Sequence, residues 1–440
     1  LVRVLVGLLS LLVAAHTCGW VFERFRQPKV IGEIVGGILL GPTLMGALAP
    51  GVEAWLFTDS PPAREVMGTV QQLGLFLLMF CAGAEARGKL RREESRVVVT
   101  TSVTGLLLPF VAALIAMQFI DMSRYWGPAG NKISFILIFS TAIAVTSIPV
   151  ISRIMHDLGI LRTPFARTVL GVAILEDLVL YTVLAIALAL SNRRPSGFGL
   201  PTVLGLRSGS AADIAYHVSL TAVLLVGAFA VAGPAARWVS SRQASGVPLN
   251  SAARRLVLVL AVTLLYLVLD LEAFLGALLA GIIVGGRPEP KIESDSASPN
   301  PASAQEVVQR FAYAFFIPVY FALVGVNLNL RHGFGAGWFA LFFVIACVVK
   351  TASVYLGARI AKLPNRRALN LAVALNARGG PGIVLATVTF AAGVIGEEFY
   401  IWLVLLAVLT SLLAGTWLQR LPMSAFTEQQ EPQAAPMPVG

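Results

Sequence analysis

Apolar runs of about twenty residues recur from one end of this 440-residue chain to the other. Each is the length a helix needs to cross the roughly 30 Å hydrocarbon core of a bilayer. In hydrocarbon every backbone polar group must be satisfied within the protein, so such a chain folds as a bundle of membrane-spanning helices. The composition agrees: 57% of residues are hydrophobic and 13% charged, outside the habit of soluble domains. The expected fold class is an all-α polytopic membrane protein. Hydropathy places about thirteen transmembrane helices, near residues 4–22, 30–49, 66–86, 97–120, 133–155, 164–190, 214–239, 254–270, 272–286, 307–328, 334–360, 368–394 and 399–418. The first run lacks a small-residue cleavage site and reads as a span rather than a signal peptide.

The loops set the orientation. With the N-terminus outside, 23 of the 33 basic residues fall in inside loops and eight in outside loops. Cationic loops stay on the cytoplasmic side, so the expectation is N-out and C-in. The same loops account for the net charge of +10. The expected partner is therefore the lipid bilayer of the cell (plasma or inner) membrane, and no nucleic acid. Cys18, Cys81 and Cys347 lie in apolar runs without a CxxC spacing, and the four histidines show no ligand spacing. Neither a cofactor nor a resident metal is expected. There is no strand–GxGxxG–helix unit for a nucleotide, and the chain does not read as an enzyme. Residues 293–305 and the tail 421–440 are polar or rich in Pro and Ser, which predicts disorder.

Against this background the charges inside spans stand out. Glu176 and Asp177 sit side by side at the middle of the sixth span. A carboxylate at that depth costs roughly 2.5–3.5 kcal/mol on the insertion scale, so intramembrane acids mark binding sites or ion paths. Adjacent helix positions diverge by about 100°, so the two cannot face the same way. In the fifth span Thr146 and Ser147 precede Pro149. Pro149 cannot donate to the carbonyl of Val145, which frees carbonyls near Thr146. Freed carbonyls at membrane depth suit a dehydrated cation, although a plain proline kink closed by hydroxyls would use the same residues. Lys350, in the eleventh span, needs a partner or a wet cavity. It is expected to pair with Glu176 or Asp177, the alternative being a lysine that snorkels to the inside surface. The twelfth span holds Asn376, Arg378 and then Gly379, Gly380, Pro381 and Gly382, a composition that predicts a break.

The two broken spans are the fifth of the first six and the fifth of the last six. That is the pattern of two inverted six-helix repeats with crossed discontinuous helices. One transmembrane domain is expected over 1–420, with repeats at about 1–190 and 254–420 and a linker helix at about 214–239.

With these residues assembled, the chain resembles the monovalent cation:proton antiporter-2 family of sodium or potassium/proton exchangers over nearly its whole length. The resemblance rests on QPKVIGEIVGGILLGPTLMG (27–46), LGLFLLMFCAGAEA (73–86), VTSIPVISRIMHDLGIL (145–161), FFIPVYFALVGVNLNL (315–330) and ALNARGG (374–380). It implies an antiporter fold with a dimerisation domain and a moving core domain, and hence a homodimer. It also implies that Asp177 is the essential ion-binding aspartate, with Glu176 on the position before it. Lys350 becomes the core lysine paired with that preceding residue, Arg378 the arginine of the second broken helix, and Thr146 and Ser147 residues of the crossing. Two positions depart from the family pattern: Glu replaces the usual Asp, Asn or Gln at 176, and Gly380-Pro381-Gly382 replaces an apolar pair followed by Glu. The expected function is exchange of Na⁺ or K⁺ for protons by alternating access, the two competing for Asp177. The other readings are a repurposed sensor or catalyst acting on a hydrophobic substrate, and a carrier of another solute that uses Arg378.

Overall fold

The structure, a computed structural model, describes residues 1–25, 27–85, 92–147, 150–151, 154–155, 158–160, 163–191, 200–203, 205, 212, 215–216, 219–220, 223–224, 227, 251–271, 273–284, 304–331 and 335–427. The linker span expected at 214–239 lies mostly outside them, as do Pro149, residues 293–303 and residues 428–440 entirely.

Among the described residues the regular structure is helical, apart from one isolated bridge between Trp126 and Ile395. Eight segments among the described residues are long and apolar enough to cross a membrane. The principal helices are α1 (Val2–Arg24), α2 (Lys29–Leu40), α3 (Pro61–Glu85), α4 (Arg92–Phe119), α5 (Lys132–Ala144), α6 (Pro164–Ala189), α7 (Ser251–Val268) and α8 (Ala273–Val284). They continue with α9 (Ile317–Val326), α10 (Ala336–Ile360), α11 (Asn365–Ala374), α12 (Gly379–Ala391) and α13 (Glu397–Gln419). The second predicted span is interrupted after Leu40, where Gly41 turns extended ahead of Pro42, and is helical again at Met45–Leu48. The C-terminal segment also differs from expectation. A short helix, Ser424–Thr427, buries Phe426 with its ring centroid 5.3 Å from that of Phe165.

The helices sort into two bodies by what they pack against. In the first, α2 lies on α1 and α9, α8 lies on α3 and α7, and α3 meets α9. Glycines bring the backbones together there. A Cβ built at Gly37 would stand 1.9 Å from the Ala322 carbonyl oxygen, and one at Gly325 2.1 Å from that of Ile34. The α3–α8 pair repeats the device: a Cβ at Gly83 would stand 2.1 Å from the Leu278 carbonyl oxygen, and one at Gly281 2.2 Å from that of Phe80. Lipid offers apolar chains no hydrophobic reason to associate, so close backbone packing at small residues supplies the attraction.

The second body holds α4 along α10, α5 between α4 and α6, α11 on α10 and α13, and α12 on α13. One end is clasped by backbone bonds between loops: Gly127 N–H to Val394 O (3.1 Å), Ala129 N–H to Gly393 O (2.7 Å) and Gly396 N–H to Tyr125 O (2.7 Å). The clasp ties the loop that starts α5 to the loop that ends α12. Hydrogen bonds between the bodies include Gln27 Nε2 to Thr416 Oγ1 and the Tyr400 hydroxyl to Val324 O, both 3.3 Å, and the Tyr181 hydroxyl to Met79 Sδ, 3.6 Å.

Candidate functional site

The second body is built around two helix interruptions that face each other. Asn131 and Ser134 start α5 with a capping box, and the helix stops at Ala144, where Val145 turns extended. The other interruption is Leu375–Arg378, between α11 and α12. The unwound segments bind each other directly. Ser147 N–H donates to Ala377 O (2.8 Å), the Thr146 hydroxyl donates to Leu375 O (2.5 Å), and Gly380 N–H donates to Ser147 Oγ (3.0 Å). Thr146 and Ser147 thus join the two breaks. The Gly-Gly-Pro-Gly run sits elsewhere than the sequence suggested. The break falls just before it, and Gly379, Gly380, Pro381 and Gly382 form the first turn of α12. Pro381 fits there because first-turn N–H groups have no intrahelical acceptor to lose.

A helix that ends inside a bundle leaves its last four carbonyls to be satisfied. In α5 each is accounted for. Thr141 O accepts from Val145 N–H, Ala142 O from Arg378 Nε (3.0 Å), Ile143 O from Arg378 Nη2 (2.8 Å) and Ala144 O from Lys350 Nζ (2.5 Å). Two buried cations therefore cap the negative end of a helix dipole. The carbonyls of this last turn thus serve the protein's own cations. The carbonyls of Val145 and Thr146 accept no hydrogen bond among the described residues. Arg378, 1% exposed, completes its five donors on Ala346 O and on the backbone and side-chain oxygens of Asn376. It needs no carboxylate, which is how the site does without the acid missing from the Gly-Pro-Gly segment.

Lys350 is wholly buried, and its ammonium lies 2.8 Å from both carboxylate oxygens of Glu176. Its other acceptors are Ala144 O and, at 2.9 Å, the carbonyl of Gly105 on α4. Gly105 was not singled out from the sequence. A Cβ there would come within 3.0 Å of Glu176 Oε1 and 2.9 Å of Val354 Cγ2, so the pair sits directly on bare backbone.

Asp177 faces a different way. Tyr181, one turn along α6 on the same face, reaches Met79 of the first body. Asp177 therefore points to the seam between the bodies, whereas Glu176 points into the second body. Asp177 is 5% exposed, and its Oδ1 has no hydrogen-bond partner among the described residues. The two adjacent acids occupy opposite chemical situations: one is paired, the other holds an open oxygen. No group of three or more His, Cys, Asp or Glu that could hold a metal occurs among the described residues.

Comparison with known proteins gives the following similarities. The family described as sodium/hydrogen exchanger, transmembrane, matches residues 12–423. The chain is 26% identical to the Na(+)/H(+) antiporter NhaS4 of Synechocystis, over 94% of this chain and 96% of that one. It is 23% identical to the Na(+)/H(+)-K(+) antiporter GerN of Bacillus cereus, over 93% and 94%. It is 26% identical to cation/H(+) antiporter 18 of Arabidopsis thaliana over 91% of its own length, spanning 46% of that longer relative. Its fold is similar to that of the sodium proton antiporter MjNhaP1 from Methanocaldococcus jannaschii, with a TM-score of 0.59 at 14% identity, covering 96% of this chain and 97% of that one.

Proposed function

The chain belongs to the transmembrane sodium/hydrogen exchanger family, and from that premise we propose that it exchanges a monovalent cation, Na⁺ or K⁺, for protons across the cell membrane. It is a multi-pass membrane transporter and not an enzyme. The observation that carries the proposal is the open Oδ1 of Asp177 beside a Glu176 already neutralised by Lys350. An ionised carboxylate without a partner at this depth costs several kcal/mol, which either a proton or a bound cation removes. One oxygen cannot hold both, so competition at Asp177 couples the two fluxes when only the loaded or protonated core crosses readily. The carbonyls of Val145 and Thr146, which accept no hydrogen bond among the described residues, are with the hydroxyls of Thr146 and Ser147 the proposed further ligands of the ion.

In this reading the second body moves against the first by alternating access, N-out and C-in, and the glycine-seamed body forms the contact of a homodimer. The Glu176–Lys350 pair stays structural in electroneutral exchange and carries a proton in electrogenic exchange.

The test is purified protein in liposomes with a trapped pH dye, challenged with Na⁺, K⁺ or Li⁺. Cation-dependent pH change that Asp177→Asn abolishes is the expected result. Wild-type exchange rates in Asp177→Asn would overturn the role of that residue, and no response of folded, inserted wild type to any cation would overturn exchange itself.

A further inference from the structure

We propose that Pro109 is a positioning residue for the buried ion pair, acting through the carbonyl of Gly105. The inference deepens the antiport reading of this site and rests on it for its transport arm only.

The argument starts from backbone geometry. Each carbonyl in a helix accepts from the N–H four residues on. Residue 109 is proline, inside α4, and has no N–H to give. The carbonyl left without its helical donor is that of Gly105, and it is the one that Lys350 Nζ binds at 2.9 Å. The ammonium has three protons. They are matched by the Glu176 carboxylate, by Ala144 O, freed where α5 ends, and by Gly105 O, freed by proline. Lys350 is therefore held by two carbonyls from two different helices, independently of Glu176. If Glu176 loses its charge, the ammonium remains fixed on those carbonyls. Gly105 contributes the absence of a side chain, which lets Lys350 and Glu176 reach the backbone. Proline at 109 and glycine at 105 form one device: the first leaves an acceptor, the second clears the approach to it.

The experiment compares Pro109→Ala in wild type and in Glu176→Gln/Lys350→Met. Alanine supplies an N–H that closes onto Gly105 O. Without Lys350 this repairs the helix, and the melting temperature of the purified protein rises. In wild type the new bond competes with Lys350, so the melting temperature falls or rises less, and exchange drops at least about threefold. An equal shift in both backgrounds overturns the proposal. A second variant, Leu108→Pro/Pro109→Leu, moves the proline by one residue and frees the Thr104 carbonyl instead. It is expected to exchange like Pro109→Ala; exchange at the wild-type rate would mean that any proline in this turn suffices, and would also overturn the proposal. Absence of exchange in wild type would sink the antiport reading alone, because the melting-temperature comparison does not depend on transport.

Discussion

The two bodies solve the same problem, holding helices together in lipid, by opposite means. The first presses backbone onto backbone at Gly37, Gly83, Gly281 and Gly325. The second interrupts its helices and uses Arg378, Lys350, Thr146 and Ser147 to satisfy what the interruptions expose. The first is intolerant of volume, the second of an unpaired polar atom. A framework that closes through atoms as small as hydrogen has no room to rearrange. A core closed through directed bonds can hold an unpaired carboxylate at its edge.

The sharpest way to break this contrast is bulk in the first body. Gly37→Leu puts a side chain where a Cβ already falls 1.9 Å from a carbonyl oxygen. It should cost more than the ~1–3 kcal/mol of ordinary overpacking and abolish monodisperse protein in size-exclusion chromatography. A normally folded Gly37→Leu would mean the seam is looser than its geometry. Next in size is Lys350→Met, which strands a buried Glu176 and should destabilise by about 3–5 kcal/mol. Adding Glu176→Gln should recover most of that loss in thermal melts, which distinguishes an uncompensated charge from lost packing.

A smaller effect is expected from Ser147→Ala. It takes the acceptor from the buried N–H of Gly380 and should cost about 1–3 kcal/mol, with Ser147→Thr or Ser147→Cys losing less. An unchanged melting temperature would show that the breaks hold together without that bond. The smallest effect lies outside both interiors, at Asp121, where the Ser123 N–H bonds the carboxylate (2.9 Å) and holds it below its ordinary range. A carboxyl depressed by folding stabilises above its unfolded pKa, and that contribution fades as the pH falls through the lower folded value. Asp121→Asn should flatten the acid limb of melting temperature against pH slightly, lowering the neutral value a little while leaving the acid value near wild type.

Much of the second body could be read in advance. Burial cost singled out Glu176, Asp177, Lys350 and Arg378, because a charge inside an apolar run is expensive and must be paired or solvated. The break in the twelfth span was legible too, though displaced: Gly and Pro mark a boundary without saying on which side the helix starts. Gly105 carried its own signal, a proline four residues downstream, but a proline inside a span commonly reads only as a kink. The clasp between residues 125–129 and 393–396 left no trace, since it is made of main-chain groups that every sequence has.

The sequence by itself determined that this chain is a helical membrane protein with acids and bases at membrane depth, because hydrocarbon thickness and the cost of burying charge depend on residue type alone. Which acid meets which base, which carbonyls the cations take, and that Asp177 is left open to the seam were decided by tertiary structure. Those outcomes depend on the rotation of each helix about its axis and on where its backbone stops, and both are set by packing against helices distant in the chain.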